Sequence, residues 1–196
     1  MSLSTAEEGK IVSLNGCTIA PVGATGVVTA QTYDRRLAVS AAFAPTSGTL
    51  TLTAIWLPAG TVVNGITFVS GAQAEAGGTH LFYVLYKADL TLMAQATDNT
   101  GAAAFGANTA FRMALATQQI CPYTGLYYLG FLCVQSAGTV PTLLNITSAL
   151  TNNLGGITGM TPILAATSTT GIASGTAPNP AGALTTITQA LYAFVD

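Results

Sequence analysis

The chain has 196 residues, of which 50% are hydrophobic and only 6% are charged, and its formal net charge is −2. A typical soluble domain has about 25% charged residues, so most of this surface must consist of Thr, Ser, Asn, Gln and backbone. A surface with so little charge favours association. We therefore expect neighbouring molecules to cover the chain in an assembly; a Thr-rich secreted adhesin domain is the alternative.

The composition also argues against two kinds of partner. A nucleic-acid interface needs clustered Lys and Arg, and the only adjacent pair, Arg35-Arg36, stands beside Asp34; the other basic residues are Lys10, Lys87 and Arg112. A membrane-spanning helix needs about 20 consecutive apolar residues, and the longest such run, Gly125 to Val134, is about half that length. We expect no nucleic-acid partner, no membrane insertion and no usual export signal.

Three cysteines occur, at Cys17, Cys121 and Cys133. An odd count argues against a closed disulfide framework, and no two of them form a CxxC pair. Cys121 and Cys133 could pair only if neighbouring strands brought their Cα atoms to about 5.5 Å. We expect buried free thiols, which fits assembly in a reducing bacterial cytoplasm.

Residues 1–40 differ from the rest of the chain. They carry six of the twelve charges and are interrupted by glycines, and Ser4–Glu7 matches a capping box for at most one helical turn. We predict an N-terminal arm or anchor that becomes ordered when it docks, with Arg35 and Arg36 pairing with acidic groups of a partner. The alternative is that Ile11–Leu14 and Val27–Ala30 add edge strands to the following domain.

The remaining residues, 41–196, are predicted to form one β-sandwich domain. Thr49–Leu57 alternates polar and apolar residues, which indicates a half-buried strand. Asn64-Gly65 indicates a tight turn or bulge, and the apolar run His80–Tyr86 indicates a strand buried on both faces. Further strands are predicted at Val62–Val69, Leu90–Thr97, Phe111–Leu115, Leu126–Val134, Thr161–Ala165 and Ala183–Val195, with turns at Lys87–Asp89 and Ser136–Thr139 and loops at Asp98–Gly101 and Leu143–Gly159.

Short strands separated by Gly, Pro and Asn turns, without a long amphipathic helix, are typical of an all-β fold. We expect an antiparallel, jelly-roll-like β-sandwich. No repeat of 20–50 residues is visible, which argues against a propeller or solenoid.

Catalytic and metal-binding patterns are sparse. A Ser-His-Asp triad would have to use the single histidine, His80, but no GxSxG accompanies it and Asp89 and Asp98 lie in predicted turns. Glu75 and Asp98 could approach across loops as a glycosidase carboxylate pair, although all the acids lie in predicted termini or loops. We expect a structural role for His80, and no enzyme activity, cofactor or metal site.

The aromatic residues allow two interpretations, because exposed rings stack on sugars whereas buried rings fill cores. Since Trp56, Tyr83 and Tyr127 lie within apolar strands, core packing is expected for them. The other aromatic residues of interest are Tyr86, Tyr123 and Tyr128.

The order of several turn and strand segments resembles that of virion proteins of tailed phages, particularly phages of actinobacteria, which are usually labelled minor tail, head-fibre or capsid-decoration proteins. The resemblance covers residues 50–196 and rests on these segments: Leu57-Pro58-Ala59-Gly60-Thr61, Gly65-Ile66-Thr67-Phe68-Val69-Ser70-Gly71, Leu85-Tyr86, Leu92-Met93-Ala94-Gln95-Ala96-Thr97-Asp98, Thr124-Gly125-Leu126-Tyr127-Tyr128-Leu129-Gly130 and Pro141-Thr142-Leu143-Leu144.

The resemblance implies a β-sandwich that forms trimers and attaches to a capsid or tail through its N-terminal arm. It provides no catalytic residue to carry over. The expected function is a non-enzymatic virion protein for capsid decoration or a head fibre, with itself and other capsid or tail proteins as partners. The alternative is a tail-associated module that binds a receptor or a host surface glycan.

Overall fold

The computed structural model describes residues 28–99, 105–146 and 162–196. Within them the chain is all-β, with one 3₁₀ turn at Arg35–Leu37 and antiparallel strands throughout. The strands are β1 Ala30–Gln31, β2 Val39–Phe43, β3 Thr51–Leu57, β4 Val62–Val69, β5 Ala76–Lys87, β6 Leu92–Gln95, β7 Ala110–Ile120, β8 Gly125–Thr139, β9 Leu143–Ile146, β10 Ala165–Thr167, β11 Thr185–Thr186, β12 Ala190–Leu191 and β13 Ala193–Val195.

The strands form two packed layers, so the predicted β-sandwich is confirmed. One layer is a six-stranded sheet in the order β11-β10-β3-β8-β5-β6. The other contains a four-stranded sheet, β1-β13-β4-β7, and a three-stranded sheet, β12-β9-β2. Aromatic rings join the layers, because the ring of Phe68 on β4 lies 4.8 Å from Tyr83 on β5 and 5.5 Å from Phe131 on β8, measured between centroids.

The alternating strand β3 is buried on both faces, so the prediction of a half-buried strand is wrong. Thr51 and Thr53 are buried, and the Thr53 hydroxyl donates to the carbonyl of Leu191 at 3.2 Å. A hydroxyl that has a backbone acceptor can enter a core at little cost, which accounts for Thr53; the buried Thr51 hydroxyl has no hydrogen-bond partner among the described residues. Polar alternation therefore did not mark a solvent face here.

Residues 163–184 cover the outer face of the six-stranded sheet, the face turned away from the other layer. The Tyr128 hydroxyl donates to the carbonyl of Ile163 at 2.8 Å, and the Tyr86 hydroxyl donates to the carbonyl of Pro178 at 2.7 Å. Ala177 and Ala181 are buried within the main core cluster. The sheet therefore has an apolar layer on each side.

Several element boundaries differ from the predictions. Ser136–Thr139 is not a turn, because β8 continues to Thr139 and pairs there with Ala76. Leu143–Ile146, predicted as loop, forms β9, while residues 147–159 of that loop lie outside the described residues. The last predicted strand is divided into β11, β12 and β13.

Of the two alternatives for Asn64-Gly65, a tight turn or a bulge, the structure has the bulge, which appears as a register shift between Val63 and Gly65 in the pairing of β4 with β7. The amides of Asn64 and Gly65 both donate to the carbonyl of Asp196, at 2.6 and 3.3 Å. Across the bulge, Arg112 forms a bidentate ion pair with the Asp196 side chain, with a shortest distance of 2.7 Å. A Cβ atom on Gly65 would lie 2.6 Å from the guanidinium, so glycine leaves room for this contact.

The described part of the predicted arm belongs to the sheets. Ala30 of β1 pairs with Val195, and Val39 of β2 pairs with Asn145. Residues 1–27, which include the capping box and Ile11–Leu14, lie outside the described residues, and for them the arm stays a prediction. Arg36 pairs with Asp34 in its own turn, and this contact lowers the pKa of Asp34 to about 2.

Cys121 and Cys133 are buried free thiols, as predicted, and Cys17 lies outside the described residues. Burial raises the pKa of the Cys133 thiol to about 12, and the nearby charge of Glu75 adds to this effect. Burial also raises the pKa of Cys121. Both thiols are therefore protonated at neutral pH and are weak nucleophiles in the folded protein.

We predict that the free energy of unfolding falls as the pH rises from about 9 to about 12. The pKa of the Cys133 thiol is about 12 in the folded state, whereas the ordinary thiol pKa is 9.0. The protonated thiol therefore stabilises the folded state fully below pH 9, and this stabilisation is lost between pH 9 and about 12, where the unfolded state releases the proton first. Urea denaturation between pH 8 and 11 should show a smaller decline for Cys133→Ala than for the wild type. Equal declines in the wild type and in Cys133→Ala would contradict the assignment of this pH dependence to Cys133.

Candidate functional site

Trp56 is the most conspicuous departure of the structure from the sequence predictions. It was expected in the core, but 61% of it is exposed. It lies near the end of β3, opposite Leu126 of β8, and it is the only exposed residue of its strand. The prediction failed because an apolar strand pattern does not show where the covering layer of the outer face stops.

Two connections lie side by side at this end of the sandwich. The Gly60 amide donates to the carbonyl of Cys121 at 2.8 Å, and the Cys121 amide donates to the carbonyl of Thr61 at 2.9 Å. The Ala59 amide donates to the Thr124 hydroxyl at 2.9 Å. These bonds tie the β3–β4 connection to the β7–β8 connection, and neither connection contains a charged residue.

Large apolar side chains flank these connections. Val62 and Ile120 are cross-strand partners on β4 and β7, and they are 37% and 61% exposed. Tyr123, in the second connection, is 37% exposed. We call Trp56, Val62, Ile120 and Tyr123 the apolar end. Of the five large hydrophobic residues that are exposed in the described part of the chain, four belong to it; the fifth is Leu37.

Tyr123 is held rigidly. Its ring stacks on that of Tyr127, with centroids 5.0 Å apart and planes 16° apart. The Tyr127 hydroxyl donates to the Tyr123 carbonyl at 2.7 Å, and the Ala88 amide donates to the Tyr123 hydroxyl at 3.3 Å. A preorganised ring loses little conformational freedom when a partner covers it.

The prediction of core packing is confirmed for Tyr83 and Tyr127, which are buried, and Tyr86 and Tyr128 are buried as well. Burial raises the pKa of Tyr83 well above its ordinary value. Trp56 and Tyr123 are the most exposed aromatic residues in the described part of the chain, so they are the main candidates for contact with a sugar or a protein.

His80 and Asp98 come together, with His80 Nδ1 2.6 Å from Asp98 Oδ2. Asp98 Oδ1 also accepts a hydrogen bond from the Leu81 amide at 3.0 Å. In the described ranges no hydroxyl or thiol is hydrogen-bonded to the other ring nitrogen, as the nucleophile of a triad would be. Asp89 is not part of this pair, since it accepts from the Thr91 amide in its own turn.

The His80–Asp98 pair supports the covering segment. Gly175 packs directly against it, because a Cβ atom there would lie 2.2 Å from Asp98 Oδ2 and 3.1 Å from His80 Nδ1. Gln95 holds the same stretch through the Gly175 carbonyl and the Ala177 amide, at 2.6 and 2.7 Å. The geometry is that of a structural clamp.

Glu75, the other acid of the glycosidase carboxylate pair considered in the sequence analysis, has hydrogen-bond donors of its own. Glu75 is buried, and it accepts hydrogen bonds from the amides of Gly78 and Phe105 at 2.6 and 3.3 Å. Both carboxylates thus have local backbone donors. Within residues 28–99, 105–146 and 162–196 no three His, Cys, Asp or Glu side chains are grouped so that they could hold a metal.

No known family model matches this chain, and no curated protein matches it either. In the part of the chain that the structure describes, no helix is long and apolar enough to cross a membrane.

We predict that Gly175→Ala lowers the free energy of unfolding by about 1–3 kcal/mol, the usual cost of forcing an extra methyl group into a packed site. Chemical denaturation measures this loss. Adding Asp98→Ala removes the atom with which the new Cβ collides, so the double variant should lose less than the sum of the two single losses. Full additivity, or no loss in Gly175→Ala, would disprove the close contact.

Proposed function

We propose that this chain is a non-enzymatic structural protein of a tailed-phage particle, and most specifically a capsid-decoration or head-fibre component that assembles with copies of itself. The apolar end carries the proposal. A monomer that works alone in water gains nothing from exposing a tryptophan and an isoleucine beside two uncharged connections. Four of the five exposed large hydrophobic residues in the described part of the chain lie at this end, and a concentration of exposed apolar surface is typical of contact surfaces.

The energetics favour a contact there. Complete burial of a large apolar side chain contributes about 1.5–3 kcal/mol, and tryptophan is enriched among the residues that dominate binding energies. Trp56 and Ile120 are each 61% exposed, so a partner could recover most of this amount from each of them. The hydrogen bonds between the two connections fix the backbone next to both residues.

Composition and fold support the same function. With 6% charged residues and a net charge of −2, the surface offers little electrostatic repulsion between copies. The sandwich and its order of segments fit the resemblance to tailed-phage virion proteins, which implies a trimer and attachment to capsid or tail proteins. The proposed location is the virion, after assembly in the bacterial cytoplasm.

Trp56 and Tyr123 favour a second candidate, a tail-associated module that binds a host receptor or surface glycan, because exposed aromatic rings stack on sugars. A sugar site also needs polar groups that orient the hydroxyls. The cross-strand neighbour of Trp56 is Leu126, which cannot hydrogen-bond a sugar, so we rank this candidate second.

We predict that the wild-type chain sediments as an oligomer, most specifically a trimer, at micromolar concentration. Replacing both Trp56 and Ile120 by Ser should shift it to the 19.8 kDa monomer. The folding stability should change by less than about 1 kcal/mol, since both side chains are exposed. Thr185→Ser, an exposed substitution on β11, is the matched control and should leave the oligomer intact. A wild-type monomer, or an oligomer unaffected by the double substitution, would contradict assembly through the apolar end.

The particle itself tests the wider proposal. Antibodies against the chain should label purified virions from cells that express it, and imaging at side-chain resolution should place its sandwich at symmetry-related positions. Chain found only in the soluble fraction of such lysates would overturn the proposal. Binding of the wild type, but not of Trp56→Ala, to host surface glycans would favour the receptor-binding candidate instead.

A further inference from the structure

An apolar groove lies where the residues that follow β1 approach β3, β9 and β12. Its volume is about 250 Å³, and its apolar wall includes Leu37, Ala54, Ile146, Leu164 and Ala190. Small-molecule pockets usually have about 300–1,000 Å³, so this groove is small for a metabolite or cofactor. A cavity of about 150 Å³ holds a benzene-sized group; this groove therefore has room for about two aliphatic side chains.

The hydroxyl groups that line the groove already donate hydrogen bonds within the protein. The hydroxyls of Thr32 and Thr53 donate to the carbonyl of Leu191 at 3.1 and 3.2 Å, and the Tyr33 hydroxyl donates to the carbonyl of Ala190 at 3.3 Å. These side chains offer no donor to a carboxylate or a sugar inside the groove. The chemistry of the wall selects an apolar occupant.

The rim of the groove carries positive charge. Leu37 is 48% exposed and ends the 3₁₀ turn that begins with Arg35. One Asp and two Arg at positions 34–36 give this corner a net charge of +1. Asp34 is paired with Arg36, whereas Arg35 forms no ion pair within the described residues. An apolar segment that carries acidic residues would complement both the wall and the rim.

The chain itself contains such a segment at residues 7–14. It begins with Glu7-Glu8 and ends with Ile11-Val12-Ser13-Leu14. In an extended conformation, Val12 and Leu14 lie on the same face, which gives the two aliphatic side chains that the groove can hold. From Leu14 to Val28, where the described structure begins, 14 residues can reach up to about 50 Å.

We propose that the groove is the docking site for residues 7–14 of this chain, with Val12 and Leu14 in the groove and Glu7-Glu8 beside Arg35. This contact goes beyond the proposed function and does not depend on it, because it requires neither a particle nor the apolar end. If the apolar end fails to assemble copies, the groove can still bind the segment.

Hydrogen exchange of the full chain, followed by mass spectrometry, tests the contact. Amides of residues 7–14 should exchange at least about tenfold more slowly than in a synthetic peptide of residues 5–16, because docking protects them. Leu37→Ser should bring their exchange close to that of the peptide, while the amides of β5 and β8 stay protected and show that the fold is intact. Ile120→Ser, a matched substitution of an exposed apolar residue outside the groove, should leave residues 7–14 protected.

Charge reversal tests the contribution of Arg35, Glu7 and Glu8 to the contact. Arg35→Glu should speed exchange in residues 7–14, and adding Glu7→Lys and Glu8→Lys should restore protection. Exchange in the wild type as fast as in the peptide would overturn the proposal. It would also be overturned if Leu37→Ser exposed residues 147–161 and left residues 7–14 unchanged, because the groove would then hold that segment.

Discussion

The backbone pairing of β8 with β3 on one side and β5 on the other is the constraint on which the rest of the structure depends. The pairing with β5 runs from Ala76 opposite Thr139 to Lys87 opposite Tyr127, and the pairing with β3 covers all of that strand. Gly130 shows how closely this centre is packed, because a Cβ atom there would lie 2.3 Å from Val84 Cγ2 and 3.0 Å from Leu50 Cδ1. The same register places Trp56 opposite Leu126 at one end and His80 opposite Val134 towards the other.

The location of Trp56 follows from this arrangement together with the C-terminal covering segment. Residues 163–184 cover the outer face of the central strands through Ile163, Pro178 and the buried alanines. Trp56 lies at the end of that face and remains exposed. The apolar end and the groove thus lie where the covering of the sandwich stops, and both are suited to contacts with protein segments.

The sequence was sufficient to predict the fold class, the buried strand around Tyr83, an irregularity at Asn64-Gly65 and the free thiols, because each depends on local periodicity or composition; it left open whether Asn64-Gly65 forms a turn or a bulge. It was not sufficient for Trp56 or for the threonines of β3. Their exposure is decided by residues more than 100 positions away, such as Leu191, which provides the acceptor for Thr53. The groove could not be predicted either, since its wall combines residues from 32 to 190.

The position of β13 has a consequence for how the protein is made. Residues 193–195 form an inner strand of the four-stranded sheet and separate β1 from β4. A ribosome adds about 5–20 residues per second, so β4 is synthesised well before its partner and must wait with one edge unpaired. An unpaired edge can pair with another chain. Crowded synthesis of this protein therefore carries a risk of mispairing between nascent chains until residue 195 leaves the ribosome.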